Sequence, residues 1–267
     1  MHRSVMSRLG PWGLVTGATS GIGAALAVQL ARAGMRLVIT GRSPARLTEA
    51  AESLRGAGAP EVRVVVVDLA SADGPERVAL ATEGLDLGLV VLNAGFGTSG
   101  RFIDASLSEE RELLAVNCGA LLGMAWHFGR RLAARGRGSL VFVGSVLGFQ
   151  GTPLAANYGA SKAYVQALGE ALAVELGQVG VDVLVAAPGP THSGFAGRAG
   201  MTMGVAMDSE AVARGIYRSL GRRGTVFPGW LSKLLRGLVM GLPRWVAARI
   251  FAMALGGMVS REGVGEG

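Results

Sequence analysis

The chain has 267 residues, half of them hydrophobic and 17% charged, enough to bury one large core. A single cysteine, Cys118, excludes an internal disulfide framework. The formal net charge of +7 comes almost entirely from arginine, and no nucleic-acid-binding motif accompanies it; it reads as a solvated surface, and no nucleic-acid partner is expected.

The opening "MHRSVMSRLGPWG" is basic but has no apolar stretch ahead of a cleavage site, so 1–10 reads as an extension of a cytoplasmic chain. "GLVTGATSGIGAALAVQLARAG" predicts a short apolar strand, a glycine-rich turn and a helix over about 21–33. "MRLVITGR" predicts a second strand. In "SPARLTEAAESLRGAG", Ser43 is placed to cap a helix with Pro44 at its first position. "EVRVVVVDLA" predicts a third strand, apolar on both faces, and "LDLGLVVLNAG" a fourth. A long helix is expected from about Glu109 to Arg135. Its charge-free run, 113–129, suits a buried or subunit-facing helix better than a membrane span, because Asn117, His127 and several glycines interrupt it. "GSLVFVGS" is a fifth strand, "NYGASKAYVQALGEALAVELGQVG" a helix, "VDVLVAAPGP" a sixth strand, "SEAVARGIYRSLGRRG" a helix and "TVFPGW" a short seventh strand.

Strands that are continuous Val/Ile/Leu runs and alternate with helices call for a parallel sheet covered on both faces, a doubly wound α/β fold. Such sheets bind ligands beyond the carboxyl ends of their strands. Polar or glycine-bearing residues end all six main strands: the turn holding Gly17, Gly21 and Gly23, then "TGRS", Asp68, "NAG", Ser145 and "PGPTHS". The turn suits a phosphate approached by backbone at a helix N-terminus, although glycines also simply permit a tight turn. An NAD site would carry an acid near 40–43, and none stands there. That absence favours a 2′-phosphate at Arg42 over a merely solvated arginine.

At this point the chain resembles the short-chain dehydrogenase/reductase (SDR) family. "TGATSGIG" resembles its cofactor motif, "NAG" its fourth-strand motif and "PG" at 188–189 its sixth-strand motif; Asn117, Ser145, Tyr158 and Lys162 resemble its catalytic tetrad, over residues 11 to 228. The resemblance implies a single Rossmann-like domain with a mostly seven-stranded parallel sheet over 11–228; outside it, 229–267 reads as an amphipathic helical tail. It implies that Thr16 and Gly17 shape the first turn, that Ser20, Gly21, Ile22 and Gly23 face the phosphates, and that Arg42 with Ser43 holds the 2′-phosphate. Asp68 and Leu69 would flank the adenine; Asn93, Ala94 and Gly95 would line the ribose side; Pro188, Gly189, Thr191 and Ser193 would meet the nicotinamide. NADP(H) is the expected cofactor, ahead of NAD(H).

Tyr158 and Lys162 are four residues apart and share a helix face, so the lysine is placed to lower the tyrosine's pKa from about 10. By itself that pair reads better as helix surface. With the resemblance, Tyr158 becomes the proton donor to a carbonyl, Ser145 a hydrogen-bond donor to its oxygen, and Asn117 the holder of a water leading to Lys162. His2, His127 and His192 form no metal-binding pattern, and no metal is expected. The segment 192–210, rich in Met, Gly and Phe, reads as a lid over an apolar small-molecule substrate. In the tail, Trp230, Leu231, Leu234, Leu235, Leu238 and Val239 fall on one helical face; beyond Pro243, Val246, Ile250, Met253 and Ala254 do the same. This basic amphipathic pair is expected to pack on the protein ahead of peripheral membrane contact. A homodimer or homotetramer is expected by resemblance. The rival readings are a non-catalytic dinucleotide sensor or scaffold on the same fold, and a peripheral membrane lipid reductase.

Overall fold

The computed structural model describes residues 8–192, 194–201, 204–239 and 241–257. Seven parallel strands form one sheet: β1 (Trp12–Thr16), β2 (Arg36–Gly41), β3 (Val62–Val66), β4 (Leu87–Leu92), β5 (Gly138–Val143), β6 (Val181–Ala186) and β7 (Gly224–Val226). Their order is β3-β2-β1-β4-β5-β6-β7, so the chain winds outward from β1 in one direction and from β4 in the other. The reversal between β1 and β4 opens a crevice at the strands' carboxyl ends, where ligands bind in open sheets of this kind. Strands β1, β4, β5 and β6 are buried at every residue, as uninterrupted aliphatic runs require.

The third strand departs from expectation. Only Val62 of β3 is fully buried, and Val64 and Val66 are exposed, because β3 lies at the sheet's edge. Arg63 blunts this edge by stacking its guanidinium 4.9 Å from the Trp12 ring centroid while pairing with Glu61.

Helices α1 (Gly21–Arg32), α2 (Pro44–Gly56), α3 (Gly74–Ala81), α4 (Leu107–Leu114), α5 (Leu121–Arg135), α6 (Ala156–Glu175) and α7 (Ser209–Ser219) cover the sheet. Leu26 and Leu30 of α1, Leu47 and Leu54 of α2 and Ile216 of α7 pack into one core. Val78 of α3, Phe128 and Leu132 of α5 and Val165 of α6 pack into the other. The Ser43 side chain accepts from the Arg46 N–H at 3.4 Å and caps α2.

Two features lie beyond the sequence reading, which gave no element between the third and fourth strands and one unbroken helix from about Glu109. A short helix, α3, stands between β3 and β4. The long helix starts at Leu107 and is interrupted by a π-helical turn, Ala115–Ala120, that carries Asn117. Such turns concentrate at functional sites.

Past β7, α8 (Trp230–Val239) and α9 (Arg244–Gly256) fold back on the protein. The inward side of α8 is Leu231, Ser232 and half-buried Leu235, whereas Trp230 and Leu234 point outward; the side chains of Leu238 and Val239 are outside those described. Ser232 turns inward because its hydroxyl accepts from the Gly189 N–H at 2.8 Å and donates to the Pro228 carbonyl at 2.6 Å. On α9 the buried residues are Ala247, Phe251 and Leu255, while Ile250 and Met253 face solvent. Among the described residues no helix is long and apolar enough to cross a membrane.

Candidate active site

One cavity of about 630 Å3 runs along the carboxyl edge of the sheet, from the β1–α1 turn to the inner faces of α8 and α9. Its first end is built from backbone. Gly17 takes φ +65°, a left-handed conformation that glycine reaches without steric cost. A Cβ on Gly23 would run into the Gly17 carbonyl and the Asn93 amide, so only glycine lets α1 sit this close. Thr16 pins β1 to β4: its hydroxyl accepts from the Asn93 and Ala94 N–H groups, each at 3.0 Å. The Asn93 amide donates to the carbonyls of Thr16 and Gly17 at 3.0 and 3.2 Å. Thr16, Gly23 and Asn93 therefore brace the turn, and Asn93 also lines the cavity.

The residues fit a phosphorylated dinucleotide. Gly17, Ser20, Gly21 and Ile22 line the cavity at the N-terminus of α1, where unpaired N–H groups favour an anion. Ser20 stands at the N-cap yet makes no capping hydrogen bond. Thr40 lines the same end, and its buried hydroxyl has no hydrogen-bond partner among the described residues. Arg42 and Arg46 both reach the cavity; Ser43 is instead spent on capping α2. Asp68, Leu69, Ala94 and Gly95 line the stretch between, with the Asp68 carboxylate accepting from the Ala70 N–H at 3.0 Å.

The middle of the cavity holds Ser145, Tyr158 and Lys162, all buried. Ser145 stands two residues past β5, and its hydroxyl oxygen accepts from the Leu147 N–H at 3.1 Å, which leaves the O–H free to point elsewhere. Tyr158 lies in the first turn of α6 and is hydrogen-bonded to Ser145. The Lys162 ammonium donates to the Val143 carbonyl at 2.9 Å and stands 5.8 Å from the Tyr158 ring centroid. Burial pushes the Tyr158 phenol up to about 12, against the opposing pull of the Ser145 hydrogen bond. Burial likewise pushes the Lys162 ammonium down to about 8. The expected lowering of Tyr158 by Lys162 does not occur: the lysine is aimed at a carbonyl, and desolvation dominates both groups.

Asn117 lies behind this centre. Its carbonyl oxygen accepts from the Phe96 N–H at 3.1 Å, and its amide donates to the Phe96 carbonyl at 2.9 Å and the Ser161 hydroxyl at 3.0 Å. It fastens the loop after β4 to α6, one residue before Lys162. Pro188, Gly189 and Thr191 line the far side; Ser193 lies outside the described residues. His192 is exposed and does not line the cavity. Among the described residues no three His, Cys, Asp or Glu side chains group to hold a metal. Half-buried Cys118 has its thiol pKa raised by burial.

The other end of the cavity is apolar: Phe96, Leu147 and Met201, closed by Leu235 of α8 and Phe251 and Leu255 of α9. The sequence reading passed over Phe251 and Leu255, as it did Thr40, Arg46 and Glu112. The pair's i, i+4 spacing signals an inward helix face but not what that face meets.

The family model described as short chain dehydrogenase matches residues 12–203. The chain belongs to this family. The SDR match includes the cradle and the buried triad and stops before α7, so the walls from α8 and α9 lie outside it. A 7beta-hydroxysteroid dehydrogenase of Clostridium sardiniense is 30% identical over 230 residues, covering 85% of this chain and 88% of that protein. A very-long-chain 3-oxoacyl-CoA reductase of Podospora anserina is 35% identical over 179 residues, 65% of this chain and 53% of that one. Among solved structures, a short-chain dehydrogenase from Sphingobium yanoikuyae in complex with NADPH superposes with a TM-score of 0.79 at 29% identity, covering 88% of this chain and 97% of that one. As an SDR with dehydrogenase and reductase relatives, the protein is an oxidoreductase of hydroxyl or carbonyl groups.

Proposed function

We propose that the protein is an NADP(H)-dependent oxidoreductase that reduces a carbonyl of an apolar small molecule, lipid-like, acyl or steroid-like, or oxidises the corresponding alcohol. One observation carries this reading. Ser145, Tyr158 and Lys162 meet in a single cavity that has a phosphate-type cradle at one end and an apolar wall at the other. A bound NADPH would supply the hydride. The chain's own residues do the rest.

The N-terminus of α1, with Gly17, Ser20, Gly21 and Ile22, holds the diphosphate, and Arg42 with Arg46 takes the 2′-phosphate. Asp68 and Leu69 flank the adenine. Pro188, Gly189 and Thr191 edge the nicotinamide. The Tyr158 phenol gives its proton to the carbonyl oxygen as the carbonyl carbon becomes the alcohol carbon. The Ser145 hydroxyl donates to the same oxygen, where negative charge develops. Lys162 replaces the tyrosine proton, with solvent reached by way of a water near Asn117. NADP is favoured over NAD by the lack of any acid at 40–43 and by the NADPH complex of a relative. An apolar substrate is favoured by the cavity's far wall and by the steroid and acyl names of the relatives.

The test is NADPH oxidation across ketone, acyl and steroid panels with NADH as control. Tyr158→Phe is expected to lower turnover by about a thousandfold while NADPH still binds. Turnover near the wild-type level would remove Tyr158 as the proton donor.

Two contacts belong to the same reading. Exposed Leu122 and Trp126 on α5 and Val174 on α6 supply an apolar face for a dimer or tetramer, which sedimentation would detect. Exposed Trp230, Trp245 and Met253 beside Lys233, Arg236 and Arg249 suit peripheral contact with anionic lipid. Liposome flotation with and without 229–267 tests it.

A further inference from the structure

Glu112 of α4 carries a connection that neither the cradle nor the triad uses. Its Oε1 stands 3.3 Å from Arg42 Nη1 and 3.1 Å from Arg198 Nη2. These arginines belong to distant parts of the chain. Arg42 follows β2 at the cradle end. Arg198 closes the short helix Gly194–Arg198 in the segment over the substrate end. One carboxylate oxygen thus serves two guanidinium groups, each able to engage a full carboxylate through two parallel hydrogen bonds. Each arginine makes a single-oxygen contact to Glu112 in place of a two-oxygen one.

Arg198 also bears on the chemical centre. Its guanidinium lies 3.7 Å from the Phe96 ring centroid, and Phe96 is hydrogen-bonded through both backbone groups to Asn117. A second tether, from the Ser99 hydroxyl to the Ala199 carbonyl, holds the same segment, so its placement does not rest on Glu112 alone.

We propose that Glu112 is a counter-ion shared between Arg42 and Arg198, and that a 2′-phosphate arriving at Arg42 hands it over to Arg198. A phosphate carries more charge and more acceptor oxygens than a carboxylate, so it displaces Glu112 from Arg42. The freed carboxylate then closes on Arg198 alone and steadies the segment against Phe96. NADPH would tighten this segment and NADH would not. The same exchange makes Glu112 a determinant of cofactor preference, since its charge opposes the phosphate it makes way for. This inference rests on the assignment of Arg42 to a 2′-phosphate.

The experiment measures dissociation constants for NADPH and NADH in the wild type, Glu112→Gln and Arg42→Ala. It also measures the rate at which trypsin cuts after Arg198 with each cofactor saturating, read by mass spectrometry. Exposed ion pairs are individually weak, so the effects are a few-fold. Glu112→Gln is expected to tighten NADPH by about fivefold, with a smaller change for NADH. Wild-type cleavage after Arg198 is expected to be about threefold slower with NADPH than with NADH, and the two rates become equal in Glu112→Gln. An unchanged NADPH/NADH ratio in Glu112→Gln, alongside a selective loss of NADPH in Arg42→Ala, would sink the exchange and leave the NADP assignment standing. If Arg42→Ala leaves the ratio untouched, that assignment falls and takes the exchange with it.

Discussion

The two ends of the cavity are made in different ways. The cradle comes from turns at neighbouring strand ends, β1, β2 and β4; the left-handed Gly17 and the close approach at Gly23 shape its backbone, and the Thr16 and Asn93 side chains brace it. The apolar end is assembled from side chains scattered from Phe96 to Leu255. The turn tolerates little change because a Cβ at Gly17 or Gly23 would force the main chain to move. A side-chain wall can be altered one residue at a time. The contrast sets a sterically constrained turn at one end against a replaceable wall at the other.

That division can be broken experimentally. The largest separable effect is expected from Arg42→Ala, which should reduce the preference for NADPH over NADH by about thirtyfold, a loss of ~2 kcal/mol typical of a charge-assisted contact. The KM for the carbonyl substrate should move far less. Phe251→Ala is the mirror experiment: kcat/KM for apolar substrates should fall about tenfold as a buried aromatic contact is lost, with the NADPH dissociation constant almost unchanged. If Phe251→Ala weakens NADPH as much as it weakens the substrate, the two ends are not independent.

The centre between them has its own signature in pH. Because burial holds Lys162 down to about 8 and Tyr158 up to about 12, the phenol keeps its proton through neutral pH. Reductive kcat/KM should be flat below about pH 8 and fall above it as Lys162 loses the proton it passes on. A break near 10 instead would show that the phenol titrates at its ordinary value.

Stability moves in the opposite sense. Between about 8 and the ordinary lysine value of 10.5 the unfolded chain binds the lysine proton and the folded chain does not, so stability rises with pH across that window. Lys162→Met should therefore melt about 3 °C higher than the wild type at pH 7, with the gap closing toward pH 10.5. It should also be inactive. A lower melting temperature at pH 7 would mean that the Lys162–Val143 hydrogen bond outweighs the cost of burying the charge.

Much of the fold was legible because its signals are local. Aliphatic runs mark strands, Ser43 and Pro44 mark the start of α2, and the polar strand ends mark the ligand edge. What escaped depends on partners far away in sequence. The exposure of Val64 and Val66 follows from β3 being an edge, which is a property of strand order. The π turn at Asn117 accompanies hydrogen bonds to Phe96, twenty-one residues away, and to Ser161, forty-four away. Ser232 faces inward for Gly189, forty-three residues earlier, so counting apolar residues around α8 put Trp230 on the wrong side. Arg46 was within reach of a sequence argument, standing one helical turn beyond Arg42; Glu112 was not, because its partners sit on two other elements.

The return of α8 and α9 over the apolar end has a practical corollary for protein engineering. The strand-six turn meets the tail through Ser232, and every residue proposed to touch phosphate or move the proton lies upstream of Pro228. Pro228 and Gly229 thus mark a natural crossover point. A chimera that exchanges the chain beyond them, with a serine kept at position 232, replaces the part of the apolar wall that Leu235, Phe251 and Leu255 supply and leaves Phe96, Leu147, Met201 and the proposed catalytic residues in place.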